Sequence, residues 1–240
     1  MGAKTKPILL VLAGGIGSRL SSVVSDVPKP LAPVNGKPFL GYLLNRWIKI
    51  GIDEIVILAH HKSEELLRFI ECFMESNNQR AVISVIVEEE LLGTGGAISN
   101  AINKLAINDY FMVTNADTWI SGEGIKPLLT QKTPCLASVY MGDCSRYGTL
   151  TIVDNKIVEF KEKLGMKIGG YINAGSYLLH PKLFIGQNKS KYSLESDLLP
   201  ELSKKGLLNN IELEGELIDI GIPSDYYKFI ENAEKKYDYK

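Results

Sequence analysis

Two cations follow a glycine-rich turn near the start of this chain, and a pair of aspartates stands at strand ends much further on. The turn is Leu12-Ala13-Gly14-Gly15-Ile16-Gly17-Ser18-Arg19-Leu20, and Lys29 follows between Pro28 and Pro30. It emerges from an apolar run, residues 8–12, that reads as a buried strand. Glycines let a backbone come close to a ligand and turn its N–H groups toward anionic oxygens. Arg19 presents a planar fork with a permanent charge, and Lys29 a compact charge on backbone that its flanking prolines restrict. Near a protein surface, one such contact at about 4 Å carries a Coulomb interaction of about 4 kcal/mol, so two cations together suit a polyphosphate. Either cation alone reads better as a surface charge beside a turn. The stretch as a whole points to phosphate.

Two familiar nucleotide loops do not fit. A dinucleotide fingerprint needs G-x-G-x-x-G, and here Leu20 stands where the third glycine belongs after Gly15 and Gly17. It also wants an acid at the end of the next strand. That strand, residues 55–58, ends in Ala59-His60-His61. The Gly-Lys-Ser/Thr of a Walker loop is missing as well.

Asp117 follows the strand of residues 110–114, and Asp219 sits in Ile218-Asp219-Ile220-Gly221. Ligands of open α/β sheets gather beyond the carboxyl ends of the strands. Mg²⁺ is held by one or two carboxylates plus substrate phosphates, so two aspartates far apart in sequence can share one ion. A single aspartate at such a place is more often a turn or cap residue. His60, His61 and His180 show no spacing for a catalytic triad or a zinc site.

The elements that must position these groups alternate. Strand patterns at residues 8–12, 55–58, 82–87, 110–114 and 135–140 are interleaved with helical patterns at 39–50, 64–74 and 96–105. The helix at 39–50 carries Leu40, Leu43, Leu44, Trp47 and Ile48 on one stripe. This predicts an α/β fold, a Rossmann-like, mostly parallel twisted sheet flanked by helices. After Gly142 shorter strands at 147–153, 156–162 and 171–179 predict a small mixed β insertion, with turns at Asp154-Asn155 and Gly169-Gly170. Residues 216–220 read as a returning strand, and Ser224 as the cap of a last helix. One domain is expected over residues 1–240. At 240 residues and 26.5 kDa the chain can bury one sizeable core. A net charge of −1 gives no reason to expect nucleic acid or a membrane surface. Cys72, Cys135 and Cys144 lack metal spacing and read as reduced thiols, and residues 1–6 do not read as a leader, so a cytoplasmic protein is expected.

Leu-Ala-Gly-Gly-x-Gly-Ser-Arg-Leu, then Pro-Lys-Pro, then Pro33-Val34-Asn35-Gly36-Lys37-Pro38, resembles the signature of sugar-1-phosphate nucleotidyltransferases, a GT-A-like fold. The run Ser22-Val23-Val24-Ser25-Asp26-Val27-Pro28-Lys29-Pro30 most resembles the D-glycero-D-manno-heptose 1-phosphate guanylyltransferases. The resemblance implies transfer of a nucleotidyl group from a nucleoside triphosphate to a sugar 1-phosphate. The products are an NDP-sugar and pyrophosphate, with Mg²⁺ as cofactor, for surface polysaccharide biosynthesis. GTP and the heptose phosphate are favoured; mannose 1-phosphate, a uridylyl or thymidylyl transfer, or a non-catalytic sensor on the same fold stand as alternatives. Relatives are often dimers or tetramers, so a homo-oligomer is consistent with it.

The same resemblance implies roles for residues. Leu12, Ala13, Gly14, Gly15, Gly17 and Ser18 would bind the nucleotide, together with Gly93, Thr94 and Gly95 around its base and ribose. Arg19, Lys29 and Lys163 would act on the phosphates, and Asp117 and Asp219 would be the metal ligands. Asn115, Tyr147, Gly148, Glu162 and Asn173 would line the sugar pocket. In this view residues 1–142 mainly bind nucleotide, 143–215 mainly bind sugar, and 216–240 supply the returning strand and last helix. The sequence departs from the family pattern in Ala116 before Asp117, where glycine is common, and in Leu164 after Glu162-Lys163, where proline is usual. Glu88 opens Glu88-Glu89-Glu90, where thymidylyl and uridylyl relatives tend to have glutamine. An ionised carboxylate only accepts hydrogen bonds, so Glu88 suits the donor edge of guanine. Three adjacent acids are more often a solvated face.

Overall fold

The computed structural model describes residues 6–15, 19–76, 81–161, 165, 167–187 and 189–237. Its elements run β1 (Leu9–Leu12), β2 (Pro33–Val34), β3 (Lys37–Pro38), α1 (Phe39–Lys49), β4 (Glu54–Ala59), α2 (Ser63–Ser76), β5 (Val82–Val87) and α3 (Gly93–Leu105). Then follow β6 (Phe111–Asn115), β7 (Thr118–Ile120), β8 (Cys135–Met141), β9 (Thr149–Val153), β10 (Lys156–Lys161) and β11 (Gly170–Leu179). The chain closes with α4 (Leu199–Lys204), β12 (Asn209–Glu212), β13 (Leu217–Asp219) and α5 (Pro223–Lys236). The architecture is α/β, with sheet strands flanked by helices. Two compact units divide it: Met1–Leu91 with Asn115–Trp119 and Ile218–Lys240, and Leu92–Thr114 with Ile120–Leu217.

In the first unit β5, β4 and β1 lie side by side and parallel, with Leu9 opposite Ile55 and Ile55 opposite Ile83. β1 and β4 are apolar almost throughout because parallel strands are covered on both faces. Their shared direction brings Ala13, His60 and Glu88 to one end. There the Ala13 N–H donates to Leu58 O at 2.9 Å, and the Glu88 N–H to Ala59 O at 2.8 Å. The Ala116 N–H donates to Leu12 O at 3.1 Å and ties the Asp117 turn to the tip of β1. Asn35 and Gly36 take φ of +49° and +78° in the two-residue turn from β2 to β3, the left-handed pair that such hairpins need. Phe229 of α5 packs edge-on to Phe39 at 4.8 Å, Tyr42 at 5.7 Å and Trp119 at 5.3 Å between ring centres, and all four rings are buried.

The second unit orders its strands β6-β11-β8-β12-β10-β9. β11 is antiparallel to both β6 and β8, and β12 is parallel to β8. The mixed arrangement therefore takes in strands before residue 143 as well, because an apolar run records burial and not strand direction. β11 is interrupted between Asn173 and Tyr177, where Gly175 has φ +67°. Asp154 and Asn155, at φ +48° and +59°, form the expected turn from β9 to β10.

Two helix starts differ from expectation. α3 begins at Gly93, so the small-residue stretch is the helix's first turn and not a loop before residue 96. α5 begins at Pro223 after Ile222, and Ser224 lies inside the first turn without capping it. Proline suits that first position because its missing N–H has no helical partner to lose. Among the described residues no helix is long and apolar enough to cross a membrane. Replacing Phe229 by Ala should cost about 3–5 kcal/mol, read as a lower urea midpoint. A loss below about 1 kcal/mol would show that the ring cluster does not anchor α5.

Candidate active site

Lys29 opens a single 3-10 turn, Lys29–Leu31, whose prolines Pro28 and Pro30 fix the backbone on both sides. Its ammonium lies 2.5 Å from Asp117 Oδ2 and 3.9 Å from Asp219 Oδ1. Asp117 Oδ1 also accepts from the Thr118 hydroxyl at 3.1 Å. Asp219 ends β13, and its Oδ1 accepts from the Gly221 N–H at 2.8 Å. Arg19 reaches Asp219 Oδ2 at 3.5 Å with a side chain 63% exposed, whereas Lys29 is only 12% exposed. The Ile220 N–H donates to Asp117 O at 3.0 Å, so backbone as well as charge holds the two aspartates together. Burial first and the charge of Asp117 second push the Asp219 carboxyl above its ordinary value, while Lys29, the Gly221 N–H and Arg19 pull it down. Both signs of charge are concentrated in one half-buried place.

The carboxylates fit a divalent cation. Their donors are hard oxygens at strand ends, the set that Mg²⁺-like ions take. Among the described residues no group of three or more His, Cys, Asp or Glu could hold a metal, so an ion here would need phosphate oxygens or water to complete its shell.

Glu88 is separated from its neighbours by burial: it is 6% exposed, while Glu89 and Glu90 face solvent. His60 Nδ1 lies 3.1 Å from Glu88 O. A Cβ on Gly14 would stand 3.5 Å from His60 Cβ, and one on Gly15 would meet open space. Leu12, Ala13, Gly14 and Gly15 thus share one end of the first unit with Glu88, and Asn115 ends β6 just before the Asp117 turn.

In the second unit Gly93, Thr94 and Gly95 form the first turn of α3. The side of this turn where Cβ atoms would stand is filled: one on Gly93 would meet Tyr192 O at 2.6 Å, and one on Gly95 the Tyr192 ring at 2.2 Å. Close packing of the 190–192 segment already requires these glycines. Gly148 allows the Lys161 carbonyl to approach, since a Cβ there would stand 2.7 Å from it. Asn173 is fixed at both ends of its amide, donating to the Tyr177 hydroxyl at 2.8 Å and accepting from the Gly175 N–H at 2.9 Å. Tyr147 lies just before β9. Gly17, Ser18, Glu162 and Lys163, all named from the sequence, fall outside the described residues.

The family model for nucleotidyl transferase matches residues 8–236. The chain is 36% identical over 225 residues to the D-glycero-alpha-D-manno-heptose 1-phosphate guanylyltransferase of Campylobacter jejuni, covering 93% of this chain and 98% of that protein. It is 35% identical over 224 residues to the enzyme of the same name from Aneurinibacillus thermoaerophilus, covering 91% of this chain and 95% of that one. The crystal structure of HddC from Yersinia pseudotuberculosis superposes with a TM-score of 0.82 at 34% identity, over 94% of this chain and 99% of that one. A second structure of HddC, in complex with GMP-PN, superposes with a TM-score of 0.81.

Sequence reasoning passed over Thr118 and Gly221. Asp219-Ile220-Gly221 is an aspartate whose side chain takes the N–H two residues on, a turn pattern visible in the sequence. What could not be seen is that a Cβ on Gly221 would stand 2.2 Å from Lys29 Nζ and 2.6 Å from its Cε. Gly221→Ala should therefore push the ammonium off the aspartates and lower turnover at least tenfold, with little change in melting temperature. Full activity in this variant would show that the Lys29 position does not matter.

Proposed function

The chain belongs to the nucleotidyl transferase family, and we propose that it transfers a guanylyl group from GTP to D-glycero-D-manno-heptose 1-phosphate. The products are GDP-heptose and pyrophosphate, for surface polysaccharide biosynthesis. The observation that carries this reading is the junction of Arg19 and Lys29 with Asp117 and Asp219 in one half-buried cluster. Its likeness over nearly the full chain to two heptose 1-phosphate guanylyltransferases supports the choice of substrates.

The attacking group is a phosphate monoester with a second pKa of about 6, so it is already mostly a dianion at neutral pH. No general base is required. The task is to bring two anions together and to neutralise the charge that collects on the departing pyrophosphate. Arg19, exposed at its tip, holds the departing β- and γ-phosphates. Lys29 exchanges carboxylate oxygens for those of the α-phosphate or of pyrophosphate. Lys163 holds the attacking sugar phosphate, and Glu162, Tyr147, Gly148, Asn115 and Asn173 hold the sugar. Asp117 and Asp219 are the residues that would hold Mg²⁺, which when bound offsets phosphate charge. The glycine turn with Gly17 and Ser18, and the first turn of α3, hold the nucleotide. Residues 1–142 mainly serve the nucleotide, 143–215 the sugar, and 216–240 return Asp219. The protein acts in the cytoplasm, where triphosphates and sugar phosphates are made, and a homo-oligomer is compatible with this activity.

Base choice rests on Glu88. A buried acceptor matches guanine's N1–H and N2–H₂ donors and opposes the acceptor oxygens of uracil and thymine. A mismatch of this kind leaves buried polar groups unpaired and costs about 1–3 kcal/mol each. Pyrophosphate release measured over a panel of triphosphates and sugar 1-phosphates with Mg²⁺ should show the highest turnover for GTP with the heptose phosphate. Equal use of UTP or dTTP would sink the base assignment. Glu88→Gln should narrow the preference for GTP. Asp117→Ala and Lys163→Ala should each lower turnover at least a hundredfold while shifting the melting temperature little; near-normal rates in both would remove them from the reaction.

A further inference from the structure

Thr94, in the first turn of α3, does not stand alone. Its hydroxyl donates to Glu195 Oε2 at 2.6 Å and accepts from the Leu194 N–H at 2.8 Å. The same carboxylate oxygen accepts from the Ser193 hydroxyl at 3.0 Å. Ser193 is in turn held by the Ser196 N–H on its hydroxyl at 3.1 Å and by its own N–H on Asp197 Oδ2 at 2.7 Å. One carboxylate oxygen thereby joins two hydroxyls from segments about a hundred residues apart in sequence. The backbones are joined as well: the Gly95 and Gly96 N–H groups both point at Tyr192 O, at 3.0 and 3.3 Å. The Tyr192 hydroxyl pairs with Ser99 at 2.6 Å.

We propose that Glu195 is a positioning residue for nucleotidyl transfer, setting the Thr94 hydroxyl and the first turn of α3 for the nucleotide. The inference rests on the assignment of Thr94 to the nucleotide. The residue type fits the task. A carboxylate accepts two hydroxyl protons at once through charge-assisted bonds, and its charge favours the N-terminal end of a long helix. Neither asparagine nor serine at 195 has the reach and charge to do both.

A double-mutant cycle tests this, with Glu195→Ala, Thr94→Val and their combination, and with Glu195→Gln as the conservative variant. Steady-state constants for GTP and for the sugar 1-phosphate are measured beside melting temperature and amide exchange at residues 94–96. Glu195→Ala is expected to raise KM for GTP roughly tenfold or more and to change KM for the sugar 1-phosphate far less. Thr94→Val should raise KM for GTP alone, and the double variant should be no worse for GTP than the more severe single one. Glu195→Gln retains an acceptor and should recover most of the loss. Additive effects on KM for GTP, or a lower melting temperature with KM for GTP unchanged, would overturn the proposal. Exchange at residues 94–96 reads it without turnover: faster exchange in Glu195→Ala supports it, and unchanged exchange overturns it. A wild-type protein that releases no pyrophosphate with any substrate pair would instead overturn the functional assignment, leaving the exchange result to judge Glu195.

Discussion

Two ionised carboxylates share one half-buried place at low cost only if a positive charge shares it with them. Here that charge is Lys29, 2.5 Å from Asp117 and 3.9 Å from Asp219. Two ionised carboxylates beside one another in a half-buried environment repel strongly. The Asp219 carboxyl is raised by burial first and by the charge of Asp117 second. Much of the first unit can be understood as what holds this balance. Prolines fix the short turn that carries Lys29, Leu12 at the tip of β1 takes the Ala116 N–H, and Gly221 leaves space for the ammonium. Lys29 and Arg19 hold the two aspartates by charge against their mutual repulsion.

Glycine has different uses in the two units. At Gly15 an added Cβ would meet nothing within 4 Å, so the absence of a side chain leaves room outward. At Gly93, Gly95 and Gly96 the room is already taken by residues 190–192. A glycine-rich stretch therefore has no single meaning. Around α3 it lets one segment of the protein lie against another, and that contact leaves Thr94 as the polar group of the turn, with its hydroxyl held by Glu195.

The polar groups of the second unit are tied in the same manner. Asn173 sits where β11 is interrupted, and its amide is spent at both ends on Tyr177 and Gly175. Such an amide has one orientation, because turning it over would set donor against donor. A strand interruption that re-aims a side chain, with the side chain then locked by its neighbours, is a common way to make a specific contact from a regular sheet.

Residue types and short spacings determined a good deal of this protein. The apolar runs marked β1, β4 and β5, the Asp154-Asn155 pair marked its turn, and Asp117 and Asp219 could be placed at strand ends. These are local properties, written in period, backbone preference and charge. Tertiary structure decided the rest. It turned β11 antiparallel to β6 and β8, began α3 at Gly93, and buried Glu88 while exposing Glu89 and Glu90. It also brought Lys29 against both aspartates and Thr94 against Glu195. The physical reason is the same each time. Direction, burial and pairing belong to the partner as much as to the residue, and partners as far apart as Lys29 and Asp117, at 88 positions, or Thr94 and Glu195, at 101, leave no periodic trace in the chain that joins them.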